Sequence, residues 1–165
     1  MKNFSKGQFG FDLNFLKRHL EVVLLSTPDD KKQLIIAPSI QGRILTSTSN
    51  GMEARSYGWI NHELIASKKT APHINAFGGE DRFWIGPEAG QFGLFFKHGD
   101  AFTFENSQVP AVIDTEPFEL IHHNSDSAVF RKEAALRNYS DTAFSIRIDR
   151  TIRLLSDQQD RKSVV

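Results

Sequence analysis

The chain predicts an all-β fold, an antiparallel β-sandwich with one short N-terminal helix. Short runs of strand-favouring residues recur along it, with turn signals every 8 to 12 residues or so. Phe occurs 14 times against 2 Tyr and 2 Trp, a composition suited to the interior of packed sheets. Only one segment carries a clear helical period, and no internal repeat is visible.

That segment opens the chain. Asp12 is placed to cap a turn over residues 13–20, with Leu13, Leu16 and Leu20 on one side. Residues 21–26 hold Val22, Val23, Leu24 and Leu25, a run suited to a strand buried on both faces. Pro28-Asp29-Asp30-Lys31 is a turn by composition, residues 33–37 form the next strand, and Pro38 ends it. Residues 42–49 are a further strand, and Asn50-Gly51 is a strong signal for a hairpin into the run that follows. Short strands are expected at 55–60 and 62–66, then a polar loop from Ser67 to Gly79. The remaining expected strands are 82–85, 91–97, 101–105, 111–114, 118–123, 128–137 and 142–155, the last two joined at Asn138-Tyr139-Ser140-Asp141.

A length of 165 residues suits one domain with a real core. The closing stretch 156–165 is polar and adds no strand, so residues 1–165 read as a single, incomplete sandwich. Its unpaired strand edges would favour self-association. Lys plus Arg equals Asp plus Glu at 20 each, which offers no long-range attraction to nucleic acid or to an anionic membrane. No run approaches the roughly 20 apolar residues of a membrane span, and no signal peptide is visible. The reading is therefore of a soluble protein, cytoplasmic as it stands or periplasmic had a signal been removed. Cysteine is absent, which removes disulfides, thiolate catalysis and Cys-based zinc sites together. A nucleophile elbow and a phosphate-binding Gly loop are missing too, and nothing calls for a cofactor.

One stretch concentrates chemistry. From His73 to Gln91 it gathers His73, Glu80, Asp81, Arg82, Trp84 and Glu88 among four glycines, including Gly78-Gly79. Were residues 80–85 extended, Glu80, Arg82 and Trp84 would share one face, and Asp81, Phe83 and Ile85 the other. An acid, a guanidinium and a flat indole on one face make a sugar platform, the indole covering C–H surface while the charged groups bond hydroxyls. The plainer reading has Arg82 paired with Glu80 or Glu88 to order a loop, and Trp84 in the core. His122-His123 invites a metal, but strand neighbours point to opposite faces and do not readily share an ion. Glu80 and Glu88 are candidates for a carboxylate pair by composition alone.

Gly42-Arg43-Ile44, then Ser56-Tyr57-Gly58-Trp59-Ile60-Asn61, Gly78-Gly79-Glu80-Asp81-Arg82-Phe83-Trp84 and Gly86-Pro87-Glu88, resemble the N-terminal half of galactose mutarotase-like domains, and more closely an uncharacterised bacterial branch of that superfamily. The resemblance covers roughly residues 10–155. It implies part of a large antiparallel β-supersandwich of the aldose 1-epimerase kind, with a sugar or glycan as ligand. It also sets the region from His73 to Gly78-Gly79 against the His-Gly-Gly-type sugar-contacting loop. The acid and base of such enzymes would fall at or beyond the end of this chain, so no catalytic residue is carried over. His73, Glu80, Arg82, Trp84 and Glu88 are the expected ligand-binding residues. A non-catalytic structural or interaction module is the competing expectation.

Overall fold

The computed structural model describes residues 3–155. Helix α1 covers Phe9–His19. Phe9, Leu13 and Leu16 recur at helical spacing and are fully or almost fully buried. Lys17, Arg18 and His19 fill the last turn, where cations complement the helix dipole. The helix thus starts earlier than its Leu pattern suggests. Asp12 lies inside it and pairs with His62 instead of capping, Oδ1 to Nε2 at 2.8 Å.

Two antiparallel three-stranded sheets follow. The first has the order β1 (Val23–Ser26), β2 (Gln33–Ala37), β3 (Arg43–Thr48). The second has β4 (Glu119–His123), β5 (Ser127–Arg137), β6 (Ala143–Arg153). All five residues of β2 are buried, and the pleat sends them to two different cores. Ile35 and Ala37 pack with Leu45 against α1. Leu34 and Ile36 pack with Val23 and Leu25 against Phe118, Ala128, Phe130, Ile148 and Ile152 of the second sheet's region. The first sheet therefore lies between the helix and the second sheet. Phe130 is completely buried beneath Gly42. A Cβ at Gly42 would come within 2.9 Å of that ring, and φ there is +59°, so both packing and backbone call for glycine.

The segments expected as strands at 33–37, 42–49, 118–123, 128–137 and 142–155 match β2 to β6 closely, and 21–26 overlaps β1. The stretch between β3 and β4 departs from expectation. Residues 62–66 are helical, in α2 (His62–Ser67). Asn61 caps it, its Oδ1 accepting the Leu64 N–H at 3.0 Å, and Lys68 ends it with φ +55°. Asn50-Gly51 makes no two-residue hairpin, because no strand follows it. The chain instead returns past β3 in irregular form, Tyr57 N–H donating to Ser47 O.

The expected strands at 55–60, 82–85, 91–97, 101–105 and 111–114 are also absent. Short 3-10 turns stand at Phe104–Asn106 and Ala111–Ile113. This region folds around a third core of Leu94, Phe95, Val109, Val112 and Ile113, closed by Ala134 and Leu136 of β5. Its apolar residues are buried by loop packing, so their strand propensity is not used. No helix of the described residues is long and apolar enough to cross a membrane.

Candidate functional site

Beside β3 the segment around Gly78-Gly79 is laid down by backbone hydrogen bonds. Gly79 N–H donates to Trp59 O at 2.8 Å, Glu80 N–H to Ile44 O at 2.9 Å, and Ile60 bridges Gly78. Both glycines have positive φ, +90° and +118°. A Cβ at Gly78 would sit 2.1 Å from Trp59 O, and one at Gly79 would sit 2.8 Å from Arg43 Cδ and from Ile44 O. Only glycine lets the three chain segments approach this closely. The result is a cleft of about 320 Å³ lined by Arg43, Trp59, Ala76, Gly78, Gly79, Glu80, Asp81 and Arg82.

The floor is a buried polar network. Arg43, 2% exposed, donates from Nη1 to Gly78 O at 3.0 Å and from Nη2 to Gln41 Oε1 at 2.6 Å. Asp81 accepts the Ile44 N–H at 2.8 Å and pairs with Arg150, whose Nε donates to Gly42 O. Arg82 Nη2 donates to Asp114 Oδ1 at 2.8 Å and to Ile113 O at 3.2 Å. Asp114 is buried and also accepts from the backbone and side chain of Asn75. Burial, and next the cation of Arg82, push the Arg43 guanidinium down to about 10, against the opposing pull of Asp81 and Asp114. The Nε groups of Arg43 and Arg82 are buried with no hydrogen-bond partner among the described residues.

The walls are more open. Trp59 is 63% exposed. Glu80 has both carboxylate oxygens on Ser47 Oγ, with Oε1 also accepting the Ser47 N–H at 2.6 Å. The Arg82 guanidinium lies 4.4 Å from the centroid of the Trp84 ring, a cation–π contact. Trp84 Nε1 in turn donates to Glu88 Oε1 at 3.0 Å.

Of the five expected ligand-binding residues, Glu80 and Arg82 line the cleft. Trp84 and Glu88 stand behind Arg82 as its support. Arg82 pairs with Asp114, 32 residues further on, and not with Glu80 or Glu88. His73 lies elsewhere, its Nδ1 2.7 Å from Ser107 O and its ring 4.8 Å from that of Phe104. Residues 80–85 form no strand, and the two-faced division expected of an extended segment holds only in part. Phe83 and Ile85 enter the cores, and Glu80, Arg82 and Trp84 face the cleft and surface, but Asp81 lines the cleft as well as reaching Arg150 of β6. Arg43 and Trp59 also line the cleft, and Asp114, on the wall of the larger hollow, supports it through Arg82; none of the three is among the expected residues. A signal for Trp59 existed in the Gly58-Trp59 pair, an aromatic following a glycine that close packing requires. A Cβ at Gly58 would meet Leu45 O at 2.0 Å. His122 and His123 are exposed on β4.

A larger hollow of about 1,090 Å³ lies beyond Asp114, bounded by residues 94–98, 106–116 and part of β5. Its charged residues are largely spoken for, Glu116 by Lys132 and Arg137 by Asp141, its buried donor Asn75 is taken up by Asp114 and Ala71 O, and it lacks the exposed indole of the smaller cleft. The smaller cleft is the better candidate for specific recognition, because a few convergent polar groups give a pocket its specificity.

No curated protein and no solved structure matches the chain. One family pattern spans residues 7–164, nearly the whole sequence, and by that match the chain belongs to the family of unknown function DUF6786.

Proposed function

We propose that this chain is a carbohydrate-binding part of a galactose mutarotase-like β-sandwich, and that the Gly78-Gly79 cleft is its sugar site. The observation that carries this reading is the exposed Trp59 indole beside a pocket whose floor is guanidinium and carboxylate. Sugars offer C–H faces that stack on an indole and hydroxyls that bond to paired ions. The core shared by the two sheets supports the sandwich reading. If a longer protein carried out epimerase-like chemistry, acid–base ring opening at the anomeric carbon would be the step, and the residues here would hold the ring. The test is titration of residues 1–165 with a panel of neutral and charged sugars, followed by Trp59→Ala. Because Trp59 is mostly exposed, its loss should change stability by about 1 kcal/mol or less while abolishing binding. Undiminished affinity in that variant would exclude the cleft as the sugar site.

A second reading, as an interaction module, draws on β6. Among the described residues its eleven residues pair with β5 alone, which exposes a long edge. Antiparallel pairing of two copies about Ile148 would set each Arg147 opposite Asp149 and each Ser145 opposite Thr151, a self-complementary pattern. Sedimentation over a range of concentrations tests it. Asp149→Arg, which would oppose four like charges, should shift any dimer towards monomer.

A further inference from the structure

We propose that the cleft selects acidic saccharides, with the carboxylate of a uronic acid received by Arg82 and Arg43. This rests on the reading of the cleft as a sugar site and adds the class of sugar. The first ground is the pairing of charges around the floor. Arg43, Arg82 and Arg150 stand there against Asp81 and Asp114, and each carboxylate is already committed to a guanidinium. Glu80, the remaining acid of the cleft, is turned onto Ser47 by both oxygens. The charges balance at three guanidiniums against three carboxylates, but the pairing does not: among the described residues Arg43 bonds only Gly78 O and Gln41 Oε1, so it is the guanidinium left for an incoming carboxylate.

The second ground is unused donor capacity. Arg43, 2% exposed, keeps a buried Nε without a partner, and so does Arg82. Buried donors left unpaired are costly, and five N–H groups in a planar fork suit a carboxylate in particular. A neutral hydroxyl would satisfy one donor and leave the Arg43 guanidinium without a carboxylate partner. The third ground is pre-organisation. Arg82 is held by Asp114 on one side and by the Trp84 ring at 4.4 Å. Arg43 is fixed by Gly78 and Gln41. Little rotamer freedom remains to be lost on binding. Trp59 then supplies the surface for the sugar ring, so acid group and ring have separate partners.

The experiment is isothermal titration calorimetry of residues 1–165 at low ionic strength with glucuronate, galacturonate, glucose, galactose and sodium acetate. The expected result is uronate binding at least about tenfold tighter than the parent aldose, the worth of one charge-assisted hydrogen bond, and acetate far weaker than either uronate. Arg82→Met should bring the uronate-to-aldose ratio close to one. Should that variant fail to fold, salt serves instead, since screening should erode the uronate preference of the unaltered chain. Equal affinity for uronates and aldoses would overturn the acidic preference while leaving the sugar site standing. Acetate binding as tightly as the uronates would identify an anion site and remove the sugar reading as well. Binding of none of the five would refute both.

Discussion

Gly78→Ala tests whether close backbone approach, and not turn flexibility, builds the cleft. Two costs arise there. The first is conformational: φ is +90°, a region that L-residues occupy at roughly 1–2 kcal/mol. The second is steric, since the new Cβ would stand 2.1 Å from Trp59 O and 3.0 Å from Trp59 Cε3. Relief requires the 59–60 and 78–79 segments to separate, which breaks the Gly79 N–H to Trp59 O hydrogen bond. That loss adds about 1 kcal/mol, and the displaced packing about 1–3 kcal/mol more.

Gly90→Ala isolates the first cost, because Gly90 has nearly the same φ, +87°, with nothing within 4 Å of the added Cβ. Urea unfolding followed by far-UV circular dichroism should therefore give about 3–6 kcal/mol of destabilisation for Gly78→Ala. For Gly90→Ala it should give about 1–2 kcal/mol. Equal losses in the two variants would refute the close-approach argument and leave backbone strain as the whole effect.

Asp114→Ala should cost about 3–5 kcal/mol by denaturant unfolding, because it strands the Arg82 guanidinium and the Asn75 donors in a buried place; a loss below about 1 kcal/mol would mean that water replaces the carboxylate. Acid should weaken the fold through surface carboxylates. Asp29 is held below its ordinary value by the Thr27 hydroxyl, Glu105 by its own backbone N–H and then Thr103, and Asp149 by Arg131. A carboxylate lowered in the folded state stabilises it above the unfolded value, and that contribution disappears as pH falls through the folded one. Melting temperature should thus be insensitive to these three groups above pH of about 5 and should fall below about 4; a melting temperature that rises on acidification would contradict the assignment.

The sheets were legible because their strands carry short, uninterrupted apolar runs bounded by turns. Residues 33–37 read as a strand and are one, for each of its faces meets a different core. Between β3 and β4 the same rule fails for a physical reason. Strand propensity reports a fit to a pleated, half-buried surface. Phe83, Ile85, Leu94 and Phe95 find burial in loop-built cores with no neighbouring strand. For α2 the better signal was Asn61 three residues ahead of Leu64, a cap that the chain does use.

The site was half legible on similar grounds. Glu80 and Arg82 are close in sequence to the glycines that shape the cleft, so a local motif exposes them. Asp114 reaches Arg82 from 32 positions away, as the residue that ends a 3-10 turn where the sequence predicts a strand, and no local spacing encodes such a pairing. Arg43 was visible only as part of a resemblance, because its role depends on Gly78 folding back over β3.

The cleft and the ion pairs that support it draw on β3, the 78–82 segment, Asp114 at the end of the Ala111–Ile113 turn, and Arg150 of β6. It should therefore exist only when both sheets and the intervening region are docked together. The chain carries a direct probe of this. Its 2 Trp residues are Trp59 and Trp84, one lining the cleft and the other stacked on Arg82, so tryptophan fluorescence reports the site while far-UV circular dichroism reports the sheets. If cleft and sheets form one cooperative unit, the two signals should give the same urea midpoint and slope. A fluorescence transition at clearly lower urea would mean that the region between β3 and β4 opens on its own. The buried ion network would then be a local clasp, separable from the fold that carries it.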